Sequence, residues 1–196
     1  MEHSAPDADR EPAATDGWHV HGHAIVSADG CIADRDGRMP AALRNPADWQ
    51  RFQAALDAAT IVILGRASHA LTPNPRGRRR LVLSSQARGL EHRADALWWN
   101  PADVPLAEAL AAVGLGGIAA VVGGRRVFDW FLASGYDAFH LAEAGRAHLP
   151  GGTLLFSAMA DGTPAAQLLA ASGLRPDKRE MLDPANAVAL TVWRRA

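Results

Sequence analysis

Apolar positions along the chain fall into short continuous runs, separated by stretches that repeat with a helical period. Val20 to Ser27 reads as a first strand. A helix is expected to open at Asn45-Pro46, because Asn is a good N-cap and Pro suits the first helical position. Trp49, Phe52, Leu56 and Ala59 follow at helical spacing and are expected on its buried side. Thr60 to Leu64, Leu81 to Leu83 and Ala96 to Trp99 are short and almost wholly apolar, like strands covered on both faces. Asp103 to Val113 reads as an amphipathic helix, with Leu106, Ala109, Leu110 and Val113 on one stripe and Gly114, Gly116 and Gly117 ending it. Ile118 to Val122 is again an apolar strand, and Gly123-Gly124 leads into a helix through Phe128, Phe131 and Leu132. Tyr136 to Glu143 is the next strand. Arg175 to Leu182 and Ala187 to Arg194 read as a hairpin turned at Asp183-Pro184-Ala185-Asn186.

Alternating strands and helices with apolar strands predict an α/β protein with a mostly parallel sheet, and the terminal hairpin adds an antiparallel edge. Residues 1–17 carry no hydrophobic period and are rich in Ala, Pro, Asp and Glu, so a disordered tail is expected before a single domain over 18–196. The 196 residues suffice for one core. With 20 Lys and Arg against 21 Asp and Glu, the net charge of −1 offers no overall attraction to nucleic acid or to an anionic membrane. The one cysteine, Cys31, cannot form an internal disulfide, and no signal-peptide or membrane-spanning pattern stands out. The cytoplasm is the expected compartment.

In open parallel sheets, ligands bind outside the carboxyl ends of the strands. Three motifs fall there. Gly65-Arg66-Ala67-Ser68 follows the strand ending at Leu64, Ser84-Ser85-Gln86 follows Leu83, and Gly123-Gly124-Arg125-Arg126 follows Val122. Glycine lets the backbone approach a ligand, helix starts present free N–H groups, and the Arg and Ser side chains add donors. Three anion-binding loops on one edge suit a ligand with a pyrophosphate and a separate 2′-phosphate. The common dinucleotide fingerprint Gly-x-Gly-x-x-Gly is absent after the first strand.

These segments, together with Ser27-Ala28-Asp29-Gly30, Ile32-Ala33, Asn45-Pro46-Ala47-Asp48, Arg78 through Ser85, and Gly123 through Phe128, resemble the dihydrofolate reductase superfamily in their order along the chain. That superfamily includes the pyrimidine reductase domain of the riboflavin pathway. The resemblance covers Trp18 to Arg195. It implies a three-layer α/β/α fold and NADPH as hydride donor to a small heterocycle, either a dihydropterin or dihydrofolate. The alternatives are a 5-amino-6-(5-phosphoribosylamino)uracil reductase-type activity or a non-catalytic nucleotide-binding relative. By the same resemblance Ile25, Ile32, Gly65, Arg66, Ala67, Ser68, Ser84, Ser85, Gly123, Gly124, Arg125, Arg126 and Val127 would hold the cofactor. Asp48 would be the catalytic carboxylate, with Phe52 and Arg78 on the substrate, and Ala33 to Pro40 would be a mobile loop over the nicotinamide. An unusual peptide is often found at the glycine pair in this family. A homodimer is left open.

Asp48 and Phe52 lie four residues apart, on one helix face, so an acid stands beside an aromatic wall. Asp48 also lies in the first helical turn, where the dipole alone favours an acid. The chain departs from the folate pattern in two places. Ala41-Ala42-Leu43 stands where a tryptophan is expected after Met39-Pro40, and Ala142 replaces the threonine that would brace the carboxylate. Arg78 sits in the basic run Arg76 to Arg80 (with Gly77 inside it), which also reads as a solvated loop. His19, His21 and His23 alternate and so share a strand face, but without an acidic or cysteine partner at ligand spacing they read as surface residues and no metal is expected. Trp98 and Trp99 must face opposite ways from a strand and are expected in the core or at a dimer contact. Cys31 has no activating base nearby in sequence and is expected to be inert.

Overall fold

A computed structural model of the chain describes residues 17–195. The expected tail, apart from Gly17, lies outside the described residues. The strands are β1 (Trp18–Ser27), β2 (Cys31–Ala33), β3 (Ile61–Gly65), β4 (Arg80–Leu83), β5 (Leu90–His92), β6 (Leu97–Trp99), β7 (Gly117–Gly123), β8 (Ala138–Ala144), β9 (Thr153–Leu154), β10 (Leu174–Pro176), β11 (Glu180–Asp183) and β12 (Val188–Arg195). The helices are α1 (Pro46–Ala58), α2 (Arg66–Leu71), α3 (Leu106–Ala111), α4 (Arg125–Ser134) and α5 (Ala165–Ala171).

The main sheet runs β10-β12-β8-β1-β7-β3-β4-β6-β5, with β11 beside β12. Its centre, from β8 to β6, is parallel throughout. β12 closes one side antiparallel to β8, and β5 closes the other antiparallel to β6. The expected terminal strand Arg175 to Leu182 is broken into β10 and β11, which pair with the same strand β12 on either side of an interruption. Short β2 pairs with β9 in a separate ribbon. Neither β5 nor β9 follows from the apolar pattern, because two or three strand residues carry no readable period, and α5 spans only seven residues, two helical turns.

Both faces of the central strands are covered, which is why these runs are apolar throughout. On one face Leu106, Ala109 and Leu110 of α3, Val127, Phe128 and Phe131 of α4, and Leu169 of α5 pack on Val20, Ile63, Leu81, Val121 and Phe139. On the other, Leu56 of α1 packs with Val62, Leu64, Val82, Trp98 and Ala120. Trp98 and Trp99 go to opposite layers and both are buried. The helix expected from Asp103 starts instead at Leu106, after Pro105. Trp49 does not belong to the buried side of α1 and is 53% exposed. The inward stripe is Asp48, Phe52 and Leu56, and Trp49, about 100° round the helix from Asp48, only leans on Phe52.

Gly22 lets two central strands close up. A Cβ there would stand 2.2 Å from the Phe139 ring and 3.0 Å from that of Tyr136, both fully buried. Gly22→Ala is expected to destabilise the domain by about 1–3 kcal/mol through overpacking. Chemical denaturation checks this, and an unchanged midpoint would show that the layer relaxes freely.

Candidate active site

Parallel pairing brings the carboxyl ends of β7, β3 and β4, which are neighbours in the sheet, to one edge. Leu64 pairs with Gly123 across a register shift, and Gly65 pairs with Leu83, so the three loops begin almost level. They also touch. A Cβ on Gly65 would meet Val127 at 3.1 Å, and one on Gly123 or Gly124 would meet the Ser68 hydroxyl at 3.4 or 3.5 Å. Gly124 holds φ +80°, a conformation L-residues rarely adopt, and forms the N-cap of α4. The Gly123–Gly124 peptide is trans, contrary to the unusual peptide expected there; no described peptide is cis.

Arg66 opens α2, and Arg125 and Arg126 open α4. All three are exposed, and among the described residues none has a hydrogen-bond or ion-pair partner. Ala67 is exposed beside them, while Val127 is buried and packs in the core. Ser84 is buried, and its hydroxyl accepts the Gln86 amide at 3.2 Å, so it is turned into its own loop, whereas Ser85 is exposed. Ile25 is buried with Leu43, Ala142 and Leu190, whereas Ile32 packs against the opposite layer.

Asn45 caps α1 as its sequence suggests, its side-chain oxygen accepting the amides of Ala47 at 3.1 Å and Asp48 at 3.2 Å. Asn45 donates its own side-chain N–H to Asp183 at 2.8 Å, which ties α1 to the terminal hairpin. Asp48 does not complete a capping box. Among the described residues its carboxylate has no hydrogen-bond partner. It is half-buried, and desolvation lifts its pKa from 3.8 to about 6. Loss of water is the cause of this rise. Phe52 stands one turn along, edge-on to His23 with ring centroids 6.3 Å apart.

Arg78 is already engaged. It donates to both Asp57 (2.6 and 3.0 Å) and Gln53 (2.8 Å) on α1. The rest of the basic run is tied down as well: Arg76 pairs with Asp57, Arg79 donates to the Val113 carbonyl at 2.9 Å, and Arg80 donates to the carbonyls of Thr72 and Pro73. These contacts fasten the loop before β4 to α1 and to its own turn.

Ala33 to Pro40 closes on itself, the Asp34 carboxylate accepting the amides of Asp36 and Arg38, each at 2.9 Å. It walls a cavity of about 190 Å³ together with His148, Leu149 and Pro150. A larger cavity of about 290 Å³ lies between Val26 to Gly30, Leu141 and the start of α5. Neither includes Asp48, Gly65, Ser84 or Gly123. Those residues are singled out by free donors and an unpartnered acid, and not by enclosure. Cys31 is buried, and desolvation raises its thiol pKa, an environment that disfavours the thiolate.

The histidines differ from expectation. His23 is buried, not on the surface, and His140 of β8 lies beside it. The two rings stack at 4.4 Å with 12° between their planes. No spacing rule could pair residues so far apart in sequence, and only the β1–β8 register brings them together.

No family model matches the chain, and no curated protein does. Many solved structures share its architecture, among them the following two. Dihydrofolate reductase from Enterococcus faecalis, complexed with NADP(H) and RAB-propyl, superposes with a TM-score of 0.64 at 19% identity, covering 90% of this chain and 96% of that one. A protein from Shewanella sp. PV-4 named for riboflavin biosynthesis superposes with a TM-score of 0.65 at 19% identity, covering 91% and 99%. The chain is thus an α/β protein with a mostly parallel central sheet and antiparallel flanking strands. More particularly, it has the dihydrofolate-reductase-like fold. No helix among the described residues is long and apolar enough to cross a membrane.

The raised Asp48 pKa has a stability consequence. Folding favours the protonated acid, so the cost of holding the charge is absent below pH 3.8 and fully present above about pH 6. Asp48→Asn is therefore expected to stabilise the protein at pH 8 by roughly 1–2 kcal/mol, after discounting the shift for partial exposure, with the gain fading towards pH 4. Denaturation curves at both pH values test this. Loss of stability at pH 8 would show that the carboxylate makes a stabilising bond.

Proposed function

We propose that this chain is an NADPH-dependent reductase acting on a small flat heterocycle of dihydropterin type. The observation that carries the reading is the half-buried, unpartnered Asp48 carboxylate with its pKa near 6, set beside an aromatic wall. A group titrating there holds a useful fraction of both protonation states near neutral pH. As an anion it can accept hydrogen bonds from an amidine-like edge. As an acid it can hold the proton the substrate needs. Phe52 offers the ring a flat apolar face.

NADPH fits the residues at the neighbouring strand ends. The positive φ at Gly124 and the close approach of Ser68 leave backbone and hydroxyl donors near one another, and Arg66, Arg125 and Arg126 are uncommitted cations. When bound, the cofactor supplies hydride from nicotinamide C4. The chain's own part is to hold the phosphates with these donors, to bind the heterocycle at Asp48 and Phe52, and to keep a proton at the Asp48 carboxyl.

A ribosylaminopyrimidine, the substrate class of the riboflavin-pathway reductase, is the second reading. It is favoured because Asp57 and Gln53 already occupy Arg78, which leaves no free guanidinium for a folate tail. Ala142, buried and without a hydroxyl, points the same way. NADPH oxidation measured against dihydropterins and ribosylaminopyrimidines separates the two. Turnover of neither, with intact nucleotide binding, would indicate a non-catalytic nucleotide binder.

Nucleotide fluorescence titration is expected to show tighter binding of NADPH than NADH. Arg66→Ala is expected to weaken NADPH by about 1.5–3 kcal/mol, the range for a charged hydrogen bond. Equal affinities for the two nucleotides would remove the 2′-phosphate assignment. Gly124→Ala is expected to leave a folded protein that no longer binds NADPH, because the open space is ordinary but the backbone angle is not. Asp48→Asn is expected to keep NADPH affinity and lose about 10²–10⁴ in rate on the best substrate. An unchanged rate in that variant would refute the role assigned to the carboxylate.

A further inference from the structure

We propose that His21, His23 and His140 form a binding site for one divalent first-row transition-metal ion, of the Zn²⁺ and Co²⁺ class. Alternation along β1 puts His21 and His23 on one face, two residues apart. The parallel register of β8 sets His140 directly opposite His23. One ring nitrogen from each lies within 4.8 Å of the others. Some point therefore lies within about 2.8 Å of all three nitrogens, against a zinc–imidazole bond of about 2.0–2.1 Å. Turning the rings inward closes that gap, at the cost of the His23–His140 stack.

Among the described residues, none of the three imidazoles has a hydrogen-bond partner. The sole side-chain nitrogen or oxygen that is wholly buried without a partner among the described residues is Trp193 Nε1, so the ring nitrogens of the cluster stay reachable from solvent, and further along the same strand faces Ile25 and Ala142 fill the equivalent places with apolar groups. Burial, then the neighbouring histidines, pushes His23 down to about 3, and burial pushes His140 down to about 4. Metal binds the neutral imidazole, the form that burial favours. An all-imidazole set selects transition metals over Mg²⁺ or Ca²⁺, which prefer oxygen. Three protein ligands leave a position for water. Two other charges face the cluster. Asp137 acts favourably on His21 and already accepts the Val20 amide, while Arg194 acts against a cation and is paired with Asp177. His19, centred 6.5 Å from the His21 ring, lies outside the group.

The test is titration of the full chain with Co²⁺, followed by visible absorption and displaced by Zn²⁺. It needs neither NADPH nor substrate, so its outcome is independent of the reductase reading. One equivalent is expected to bind with ligand-field bands of a low-coordinate site. His21→Gln, His23→Gln and His140→Gln are each expected to weaken binding by more than the 10–100-fold typical of losing an outer-shell support. His19→Gln should bind as the unsubstituted protein does. Melting curves in chelator establish that each variant folds. Should His23→Gln fail to fold, the less buried His21 and His140 variants carry the test. Absence of binding at millimolar Co²⁺, retention of affinity in His140→Gln, or equal loss in His19→Gln would each overturn the proposal.

Discussion

Parallel strands cannot be joined by a tight turn, so each needs a crossover that returns the chain to the same end of the sheet. That constraint governs this protein. From β8 through β1, β7, β3, β4 and β6 every strand points one way, so every carboxyl end opens on one edge. Adjacent strands lie about 4.8 Å apart, so the loops after β7, β3 and β4 span roughly 10 Å. Glycine at the ends of β7 and β3 keeps side chains out of the gap, and the α4 start and neighbouring arginines leave uncommitted donors around it.

The same crossover logic places the acid. After β1 the chain must return across the sheet before β3, and α1 makes that return. Asn45 anchors its start twice, to the helix amides and to Asp183 across the hairpin. Arg78, bonded to Asp57 and Gln53, anchors its end. With both ends fixed, the rotation of α1 is fixed too, and the stripe facing the sheet contains Asp48 where packing alone would favour an apolar residue. Partial burial of the carboxylate then raises its pKa to about 6.

Much of this architecture was legible in the chain because its elements speak at short range. β3 and β7 are continuous apolar runs, and Asn45-Pro46 is a complete helix-start signal. The strand-end loops could be placed on one edge as soon as the parallel sheet was inferred. What escaped depends on contacts distant in sequence. Trp49 fits the hydrophobic period of α1, yet the anchors turn Asp48 inward and leave Trp49 on the rim. Arg78 lies in a run that resembles a solvated loop until Asp57 is brought beneath it. His23 reads as surface until β8 and α1 cover it, and His140 becomes its neighbour only through the pairing of two strands.

In the proposed function the three loops after β7, β3 and β4 act as one nucleotide site. Backbone amide chemical shifts followed during NADPH titration test it most directly. Saturable changes are expected, concentrated at Gly65 to Ser68, Ser84 to Gln86 and Gly123 to Val127, and moving together with one dissociation constant. Changes confined to the basic run Arg76 to Arg80, or to the cavity between Val26 and Ala165, would contradict it.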